Sequence, residues 1–596
     1  MSDIIIPEIL KKARRALDEI TFLTLLHDWC SYEADKCWYI KIQLNLQLNS
    51  CIIPNISDWY IVTKDSYPHS RVWIFPSASN SLTMTLHHQN CNAKIEENNL
   101  WRKGDLCLAL SEIKLKSSDV EYSNINDENI KLLWHVQRLI KWIEAACTNS
   151  LVNDKDLFEM PDFSVQGNDV FVFSEDQESY NNWQNIKIYK GYVDLSVYKT
   201  AGNIYVAKNF MDLKENSIFS YCWGNYFNEK PISEITAVWI LLKQIPVMNI
   251  WQAPMTFLDL QEICKKYNID LLNFLRNLKE EKIRNKKNNL FLVGFPIPKF
   301  IKGKDEIIFW QAFKMPILTN RTTLKGFRAA KMFECDRVRI LKDDYSLNWI
   351  KSQNLNLNEI TSRGKIDISI SSKNILIIGA GCIGSTFSEL LVRSGALNIR
   401  IMDEDVFNFG NLSRHTLSME DIKHSKSEYL SKRLNSLFPH AKINSVSENI
   451  NSKINLEKFD IIVDCSGSNE VLNVIENMKL TKKTIVFSIS IGFAAQYLYI
   501  SFLNDIEIKF DSFKKLITPF IKEDMLKTKE IEFPREGIGC WHPIFPARSD
   551  DIWTVSSISL KVFEKCILDN SSNNLSVVYK KSIDEKTYGY IEIARN

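Results

Sequence analysis

The 596-residue sequence lacks a C-x-x-C pair, an apolar run long enough to cross a bilayer, and a marked excess of either charge. The missing C-x-x-C pair excludes the most common structural zinc pattern. The net charge of +2 gives no reason to expect nucleic acid or a membrane as a partner. The 13 cysteines are scattered and odd in number, which indicates reduced thiols, and no secretory signal pattern opens the sequence. We therefore expect a cytoplasmic protein.

The length predicts several domains rather than one core. Residues 1–160 combine a helical pattern near Ile9, strand patterns such as CWYIKIQLNLQL, and a helical pattern that ends at Cys147. This mixture predicts an α+β domain. Residues 161–364 predict a mixed α/β linker domain, and residues 365–596 predict a third domain.

The middle region contains three helical patterns. ISEITAVWILLKQI predicts a buried helix, and TFLDLQEICKKYNIDLLNFLRNLKEEKI predicts two helices with a turn at Tyr267–Asp270. The strand LFLVGF follows, in an order similar to that of a winged-helix module. Because the pattern is short and the charge is neutral, we favour an ordinary connector.

Beyond Lys365, short β-rich runs alternate with helical patterns, which is typical of a doubly wound, Rossmann-like α/β sheet. The predicted strands are IDISISS, ILIIGA, IRIMDED, FDIIVDCSG and TIVFSIS. Gly379, Gly381 and Gly384 form G-x-G-x-x-G between a strand and a helix. Such glycines permit a tight turn and let a phosphate approach the helix N-terminus. The loop therefore predicts a nucleotide site and leaves NAD, FAD and ATP open.

The residues after the loop narrow the choice between NAD, FAD and ATP. Asp403 ends the next strand, 19 residues after Gly384, where a carboxylate can accept from ribose hydroxyls. Arg414 and Lys426 can neutralise a triphosphate, and Asp464 at another strand end can hold Mg²⁺. A hydride-transfer site needs no such cations, whereas a nucleotidyl-transfer site does because pyrophosphate must leave. This disfavours an NAD-dependent oxidoreductase.

The ordered set G-x-G-x-x-G, D-x-D, N-L-x-R, a downstream Lys and a strand-end Asp resembles ubiquitin-activating and sulfur-carrier-adenylating enzymes. The resemblance implies that Asp403 binds ATP ribose, that Asn411, Arg414 and Lys426 contact phosphates, and that Asp464 helps to hold Mg²⁺. Asp405, the second acid of D-x-D, is either a nucleotide-site residue or a solvated loop acid. Lys423 stands where this family usually has Gly, which puts the turn before Lys426 in doubt.

Activating enzymes of this kind often pass the adenylated carboxylate to a cysteine. The cysteines of this domain are Cys382, Cys465, Cys540 and Cys566. Cys382, Cys465 and Cys566 fall in the glycine loop, after a buried strand and on a predicted helix, which indicates packing. Cys540 lies in the Gly- and Pro-rich stretch PREGIGCWHPIFPARSDDI, which predicts a loop. The cationic side chains of Arg535, His542 and Arg548 could favour the thiolate, although His542 can equally be an ordinary loop residue. The stretch resembles the catalytic-cysteine segment of bacterial fused activating enzymes.

The first domain contains a second candidate nucleophile. HHQNCN, residues 87–92, precedes Cys107 in GDLCL, and the pair resembles ubiquitin-conjugating domains, which carry an H-P-N-type element before a catalytic cysteine. Gln89 replaces Pro here, and the spacing to the cysteine is longer than usual. Asn90 or Asn92 would then stabilise the oxyanion, and the sequence leaves that choice open.

The whole chain resembles the fused conjugating–activating enzymes of bacterial CBASS anti-phage operons. The resemblance implies ATP and Mg²⁺ as cofactors and a cGAS-like nucleotidyltransferase as the partner, whose C-terminal glycine is activated and conjugated to a lysine. It also implies a homodimer, in which Arg337 or Arg339 would reach the partner's ATP. The alternatives are an adenylyltransferase without conjugation, of the sulfur-carrier or tRNA-modification type, and a non-catalytic scaffold.

Overall fold

The structure is a computed structural model of the chain, and part of the sequence lies outside its description. The residues described are 6–32, 36–48, 52–92, 99–108, 127–229, 231–279, 282, 289–319, 328, 331–451, 454–528, 535–536, 542–543, 546–569, 574–583 and 588–596. The chain forms two compact units. Unit 1 comprises residues 1–220 and 232–354, and unit 2 comprises residues 221–231 and 355–596.

The α-helices of the described residues are α1 Glu8–Arg15, α2 Ile130–Cys147, α3 Gln177–Asn185, α4 Asn225–Asn228, α5 Phe257–Lys266, α6 Leu271–Arg276, α7 Met332–Arg339, α8 Leu357–Ile360, α9 Ile368–Ser371, α10 Cys382–Arg393, α11 Lys426–Leu437, α12 Asn469–Glu476, α13 Asp511–Thr528 and α14 Ser549–Leu568. None of these helices combines the length and the apolar character that a membrane crossing requires.

The strands of the described residues are β1 Leu23–Tyr32, β2 Cys37–Asn45, β3 Ile56–Thr63, β4 Trp73–Pro76, β5 Val170–Phe173, β6 Lys190–Lys199, β7 Asn203–Met211, β8 Ser217–Ser220, β9 Ser233–Leu241, β10 Leu290–Pro298, β11 Asp305–Lys314, β12 Asn348–Trp349, β13 Lys351–Asn354, β14 Ile375–Ile378, β15 Asn398–Met402, β16 Lys442–Val446, β17 Ile461–Asp464, β18 Thr484–Ile491, β19 Tyr497–Asp505, β20 Arg535–Glu536, β21 His542–Pro543, β22 Leu575–Ile583 and β23 Tyr588–Arg595.

The N-terminal part of unit 1 is an antiparallel four-stranded meander, β1-β2-β3-β4, with α1 and α2 in the same hydrophobic core. The predicted helix that ends at Cys147 is present as α2, and its spacing of apolar residues explains how it packs. Leu132, Val136, Leu139 and Ile143 are fully buried at i, i+4, i+7 and i+11, which places them on one face of the helix.

The linker part of unit 1 is a mixed sheet in the order β12-β11-β10-β9-β6-β7-β5-β13, with β8 paired to β7. The two predicted helices and the strand after them are present as α5, α6 and β10. Thr256 begins α5 because its hydroxyl accepts a hydrogen bond from the Asp259 N–H at 3.2 Å, and the Asp259 carboxylate accepts from the Thr256 N–H at 2.9 Å.

The prediction of a helix over ISEITAVWILLKQI is wrong, because Ser233–Leu241 is strand β9. It lies between β6 and β10 in the sheet, and residues 236–241 are buried one after another, so both of its faces are covered. A strand covered on both faces loses the alternation of polar and apolar residues that marks a half-exposed strand. The β-branched residues Ile235, Thr236, Val238 and Ile240 are the signal that favoured a strand.

Unit 2 contains the predicted doubly wound sheet, in the order β16-β15-β14-β17-β18-β19-β22-β23. The first five strands are parallel, and β19, β22 and β23 are added antiparallel. The chain order reverses between β14 and β17. In such sheets the carboxyl ends of the strands at the reversal flank a ligand crevice.

The prediction of a strand over IDISISS is also wrong, because Ile368–Ser371 forms the short helix α9. Asp367 begins it by accepting a hydrogen bond from the Ser369 N–H at 2.8 Å. Ile366 and Ile370, four residues apart, are buried, whereas Ile368 is 72% exposed. The spacing of the buried isoleucines is therefore that of a helix and not that of a strand.

Candidate adenylation site and cysteines

The glycine loop joins β14 to α10 at the reversal of the sheet. Gly379 has a φ of +89°, a left-handed conformation that favours glycine, and donates its N–H to the Met402 carbonyl at 2.8 Å. Gly384 lies so close to the loop that a Cβ atom there would stand 1.9 Å from the Gly379 carbonyl oxygen. The spacing of these glycines is thus required by the turn and by the close packing of helix on loop.

Asp403 holds the loop to the strand beside it. Its Oδ2 accepts from the Ala380 N–H at 2.6 Å, and its Oδ1 accepts from the Asp405 N–H at 2.7 Å. Burial raises the pKa of this carboxyl, against these hydrogen bonds. Asp403 and Asp405 line a cavity of about 320 Å³ together with Gly379, Gly381 and Lys426. Asp403 therefore lies in the cavity beside the glycine loop.

Lys426 begins α11 and presents a largely buried ammonium to the same cavity. Its Nζ lies 2.7 Å from Asp405 Oδ2, and its side chain is 10% exposed. Asp405 is thus the ion-pair partner of this cation, and its own side chain is 62% exposed. The turn before Lys426 forms with Lys423 in the left-handed region, at a φ of +65°. A lysine there costs about 1 kcal/mol relative to a glycine.

Asp464 and Arg414 line a second cavity, of about 590 Å³, next to the first. Asp464 Oδ1 accepts from the N–H and the hydroxyl of Ser466 at 3.0 and 2.6 Å, and Oδ2 accepts from the Ser488 hydroxyl at 2.8 Å. Burial raises the pKa of Asp464. A cation brought to the cavity would therefore favour the ionised carboxylate.

The carboxylates at the cavities suit a Mg²⁺ ion that arrives with the nucleotide better than an ion held by protein side chains alone. No group of three or more His, Cys, Asp or Glu side chains suited to a metal exists among the described residues. Mg²⁺ is usually held by one or two carboxylates together with substrate phosphates. Asp464 would hold the ion in that way, and the ion would supply charge neutralisation at the phosphates.

Space and polarity at Gly381 fit a phosphate group. Gly381 is the N-cap residue of α10, no side chain caps the helix there, and the volume that a Cβ would occupy is open. The first N–H groups of a helix are anion donors when they have no intrahelical partner. Gly381 borders both cavities.

Asn411 has a different place from the one expected. Its Oδ1 accepts from the Asn408 N–H at 3.0 Å and so caps the short 3₁₀ turn Phe409–Asn411. It is not among the described residues that line the two cavities. The structure brings Arg414 and Lys426 to the crevice, with Asn411 shaping the loop that carries Arg414.

His415 was missed in the sequence, although it follows Arg414 directly. Its Nε2 donates to the Ala380 carbonyl at 2.6 Å, and its Nδ1 accepts from the Leu417 N–H at 3.0 Å. These two bonds define the neutral tautomer. Burial lowers the pKa of His415 to about 4. The ring therefore acts as a neutral clamp on the glycine loop.

We expect unit 2 to lose stability in acid through His415. Because the folded pKa of about 4 lies below the unfolded value of about 6.5, the stabilisation is complete above pH ~6.5 and is lost as the pH falls towards 4. The gap corresponds to about 3 kcal/mol of unfolding free energy. Amide exchange of residues 375–393 between pH 4 and 8 measures this loss.

A His415→Gln variant keeps a hydrogen-bond donor but cannot be protonated in this pH range. The unfolding free energy that it loses in acid should therefore be smaller than that of the wild type by about 3 kcal/mol. Exposed His69 provides the control, as His69→Gln. An acid profile of His415→Gln identical to that of the wild type would contradict the assignment.

The four cysteines of residues 365–596 differ in what the structure describes. Cys382 is largely buried, Cys465 and Cys566 are buried, and burial raises the pKa of each thiol, well above its ordinary value for Cys465 and to about 11 for Cys566. Protonated thiols are poor nucleophiles, which fits their interpretation as packing residues. Cys540 lies outside the described residues.

The backbone on either side of Cys540 is described in two short strands. Glu536 pairs with His542, and Arg535 pairs with Pro543, in the antiparallel ladder of β20 and β21. Arg548, one of the cations expected near Cys540, lies 2.8 Å from Asp550 Oδ2. Arg548 is thus engaged by a carboxylate at the start of α14.

Cys107 is exposed and lies opposite the HHQN element. Gln89 and Leu106 form an antiparallel bridge, and the Cys107 N–H donates to the His88 carbonyl at 2.7 Å. Gln89, which stands in place of proline, accepts from the Leu86 N–H at 3.0 Å and donates to the Gly104 carbonyl at 3.2 Å. The HHQN element and Cys107 are therefore adjacent in the structure, although they are far apart in the sequence.

The two candidate asparagines have different surroundings. Asn92 is 1% exposed, and its Nδ2 donates to the carbonyls of Leu82 and Met84, both at 2.9 Å. Both of its amide hydrogens are thus used. Asn90 is exposed, and its Nδ2 donates to Asp105 Oδ1, which leaves one amide hydrogen for another acceptor. This geometry favours Asn90 over Asn92 as an oxyanion donor.

Arg337 and Arg339 lie on α7 of unit 1, and both are exposed. Their expected role at a partner's ATP concerns a second chain and stays a prediction.

Comparisons with known proteins agree with these features. The ATP-dependent ubiquitin transferase-like protein Cap2 of Enterobacter hormaechei is 29% identical over 547 residues, which cover 89% of each chain. This chain is therefore similar to Cap2 over most of its length. The Cap2 central linker domain matches residues 149–355, and the ThiF family matches residues 352–511. The glycine loop, Arg414, Lys426 and Asp464 all lie within the ThiF domain.

Other matches cover smaller shares of the chain. Molybdopterin-synthase adenylyltransferase of Haemophilus influenzae is 30% identical over 115 residues, which are 18% of this chain and 46% of that one. Among solved structures, Escherichia coli MccB, crystallised with AMPCPP and MccA, is similar at 16% identity and a TM-score of 0.28, covering 38% of this chain and 64% of that one.

Proposed function

We propose that unit 2 adenylates the C-terminal glycine carboxylate of a partner protein with Mg-ATP. The observation that carries this proposal is the joint placement of Arg414, Lys426 and Asp464 around the N-terminus of α10. Two cations and a helix N-terminus suit a triphosphate from which pyrophosphate departs. A redox site for nicotinamide has no use for them.

The first step forms a mixed anhydride. A carboxylate oxygen of the partner attacks the α-phosphorus of ATP, the bond to the bridging oxygen breaks, and pyrophosphate leaves. Arg414 lines the larger cavity together with Gly381, and in this role it would stabilise the charge that develops on the α-phosphate. Lys426, on the other cavity, would contact the phosphates as well.

The acyl group then passes through two thioesters. The Cys540 thiolate attacks the acyl-adenylate carbonyl and AMP leaves. The Cys107 thiolate next attacks the Cys540 thioester, and Cys540 departs as the thiolate. A lysine amine finally attacks the Cys107 thioester, loses a proton, and forms an amide while the Cys107 thiol is released. Each exchange keeps the carboxyl group activated.

The N-terminal part of unit 1 supports a conjugating role by its organisation. A helix, a four-stranded meander, an exposed cysteine and a second helix follow one another, and the HHQN element pairs beside that cysteine. The ubiquitin transferase-like name of the Cap2 relative points the same way. We accordingly propose a homodimeric, cytoplasmic enzyme whose partner is a cGAS-like nucleotidyltransferase, primed by conjugation in CBASS anti-phage defence.

A second candidate function is adenylation without conjugation. It is favoured by the match to molybdopterin-synthase adenylyltransferase, which covers only 18% of this chain. Unit 1, with Cys107, would have no chemical role in that case. The two candidates differ in whether any protein thioester forms.

Pyrophosphate release tests the adenylation step. We expect the full chain with Mg-ATP to release pyrophosphate when a nucleotidyltransferase ending in glycine is added, and to release none when that terminal glycine is deleted. The deletion is the matched control, since the acceptor carboxylate moves by one residue. Equal release with both proteins would show that the carboxylate is not the substrate.

A further inference from the structure

Residues 85–91, here called the HHQN segment, are hydrogen-bonded along one edge to residues 105–107, which include Cys107. Gln89 bridges Leu106, the Cys107 N–H donates to the His88 carbonyl at 2.7 Å, and the Asn90 N–H donates to the Asp105 carbonyl at 3.0 Å. The segment is not a regular strand throughout. His88 has a φ of +58°, so a non-glycine residue is held in a disfavoured conformation that its surroundings must maintain.

The linker supplies two carboxylates to the same segment. Glu159 Oε2 lies 2.8 Å from His88 Nδ1, and Asp162 Oδ2 accepts from the Cys91 N–H at 3.1 Å. The hydrogen bond with Glu159 raises the pKa of His88, so the charged imidazolium is favoured. Burial opposes ionisation of Glu159, but the hydrogen bond from His88 holds its pKa below the ordinary value. The linker residue Glu159 thus forms an ion pair with His88, whose carbonyl accepts a hydrogen bond from the Cys107 N–H.

The linker also contacts the HHQN segment through the indole ring of Trp251 and through backbone pairing at Ile250 and Trp251. The indole ring of Trp251 lies over the imidazole of His87, with the ring centroids 4.0 Å apart. The Trp251 N–H donates to the Thr85 carbonyl at 3.1 Å, and Ile250 forms a parallel bridge with Thr85. Glu159, Asp162 and Trp251 all fall within the region that matches the Cap2 central linker domain.

We propose that the linker is a working part of the Cys107 site, in which Glu159, Asp162 and Trp251 are positioning residues that hold the HHQN segment in register with Cys107. The proposal rests on the proposed function, since it assigns the segment to the transfer of an acyl group from Cys107 to an amine. These residues touch no reacting atom. They act through His88 and Cys91, whose backbone fixes where Asn90 meets the thioester.

Amide hydrogen exchange tests the positioning without any partner. We expect Glu159→Gln and Asp162→Asn in the full chain to speed exchange of the Cys107 and Asn90 amides about tenfold, because each removes a charge-assisted bond. Asp154→Asn is the matched control, since Asp154 is a linker carboxylate paired with Lys302 at 2.8 Å. Unchanged exchange in both variants would overturn the proposal. Both substitutions are isosteric, and circular dichroism verifies the fold.

Discharge of the Cys107 thioester to hydroxylamine tests the consequence for catalysis. A displacement of about 1 Å costs up to about 100-fold in rate, so we expect the discharge by Glu159→Gln to be 10- to 100-fold slower at pH 6. The deficit should shrink as the pH rises from 6 to 9, because deprotonation of His88 removes the ion pair. The other titratable groups that act on His88 are His87 and Asp156.

The outcomes separate this proposal from the proposed function. A deficit that is equal at pH 6 and pH 9 would show a general structural loss and would overturn the role of the ion pair. Adenylation and the Cys540 thioester should be unchanged in the variants. If the wild-type chain forms no thioester, the proposed function fails, and the exchange measurement alone decides whether the linker positions the segment.

Discussion

Cys540→Ala should abolish every reductant-sensitive adduct between the chain and its partner protein while leaving adenylation intact. The reason is chemical order, since the acyl-adenylate forms at the glycine loop and Cys540 is the first thiol to receive it in the proposed relay. Cys107→Ala should instead leave the acyl group on Cys540. Intact mass under non-reducing conditions, with Mg-ATP and a nucleotidyltransferase ending in glycine, identifies both states.

Cys222→Ala is the control for this pair, because Cys222 is an exposed thiol of unit 2. Its adduct should equal that of the wild type. If Cys540→Ala and Cys107→Ala form the same adduct, the relay is wrong. If ATP is consumed and no adduct forms in the wild type, the chain is an adenylyltransferase without conjugation.

Arg414→Ala should lower the rate of ATP–pyrophosphate exchange by about 10²- to 10³-fold, the usual loss when one group that stabilises developing charge is removed. Arg414 lines the larger cavity beside Gly381 and the buried Asp464 carboxylate. A guanidinium in such a place is worth more than in water because its surroundings have a low dielectric constant. Arg414→Lys should recover part of the rate, since it keeps the charge but loses the planar fork.

Arg393→Ala is the matched control, because Arg393 lies at the other end of α10, 2.8 Å from Glu389. Its exchange rate should stay within about twofold of the wild type, because Arg393 is not among the described residues that line the two cavities. The loss in Arg414→Ala should appear mainly in kcat if the contact forms only in the transition state. An unchanged exchange rate would remove Arg414 from the adenylation step.

The glycine loop and the alternation of strands and helices after it could be predicted from the sequence because they depend on residues that are close together in the chain. Gly379 and Gly384 are required by a left-handed turn and by a close approach of helix and loop, which any sequence must meet with the same residue type. The placement of Asp464 follows from strand order, since it ends the parallel strand β17, and Asp405, the ion-pair partner of Lys426, follows the carboxyl end of β15.

The features that were missed depend on which segments meet in space. Strand β9 lacks alternation because residues packed on both sides of the sheet bury it, and the clamp by His415 depends on the return of its loop to Ala380. The choice between Asn90 and Asn92 likewise depended on carbonyls up to ten residues away in sequence. Periodicity and spacing carry no information on such contacts.

The short segment 221–231 has a consequence for inheritance. It lies between stretches of unit 1 but belongs to unit 2, where the Gly224 N–H donates to the Pro439 carbonyl and the Asn225 N–H donates to the Ala441 carbonyl, both at 2.8 Å. The polypeptide therefore passes between the units three times, and a fragment that starts at Leu355 leaves those two carbonyls without these donors. Recombination at a single point cannot exchange the ThiF domain cleanly, so linker and ThiF domain should be inherited together.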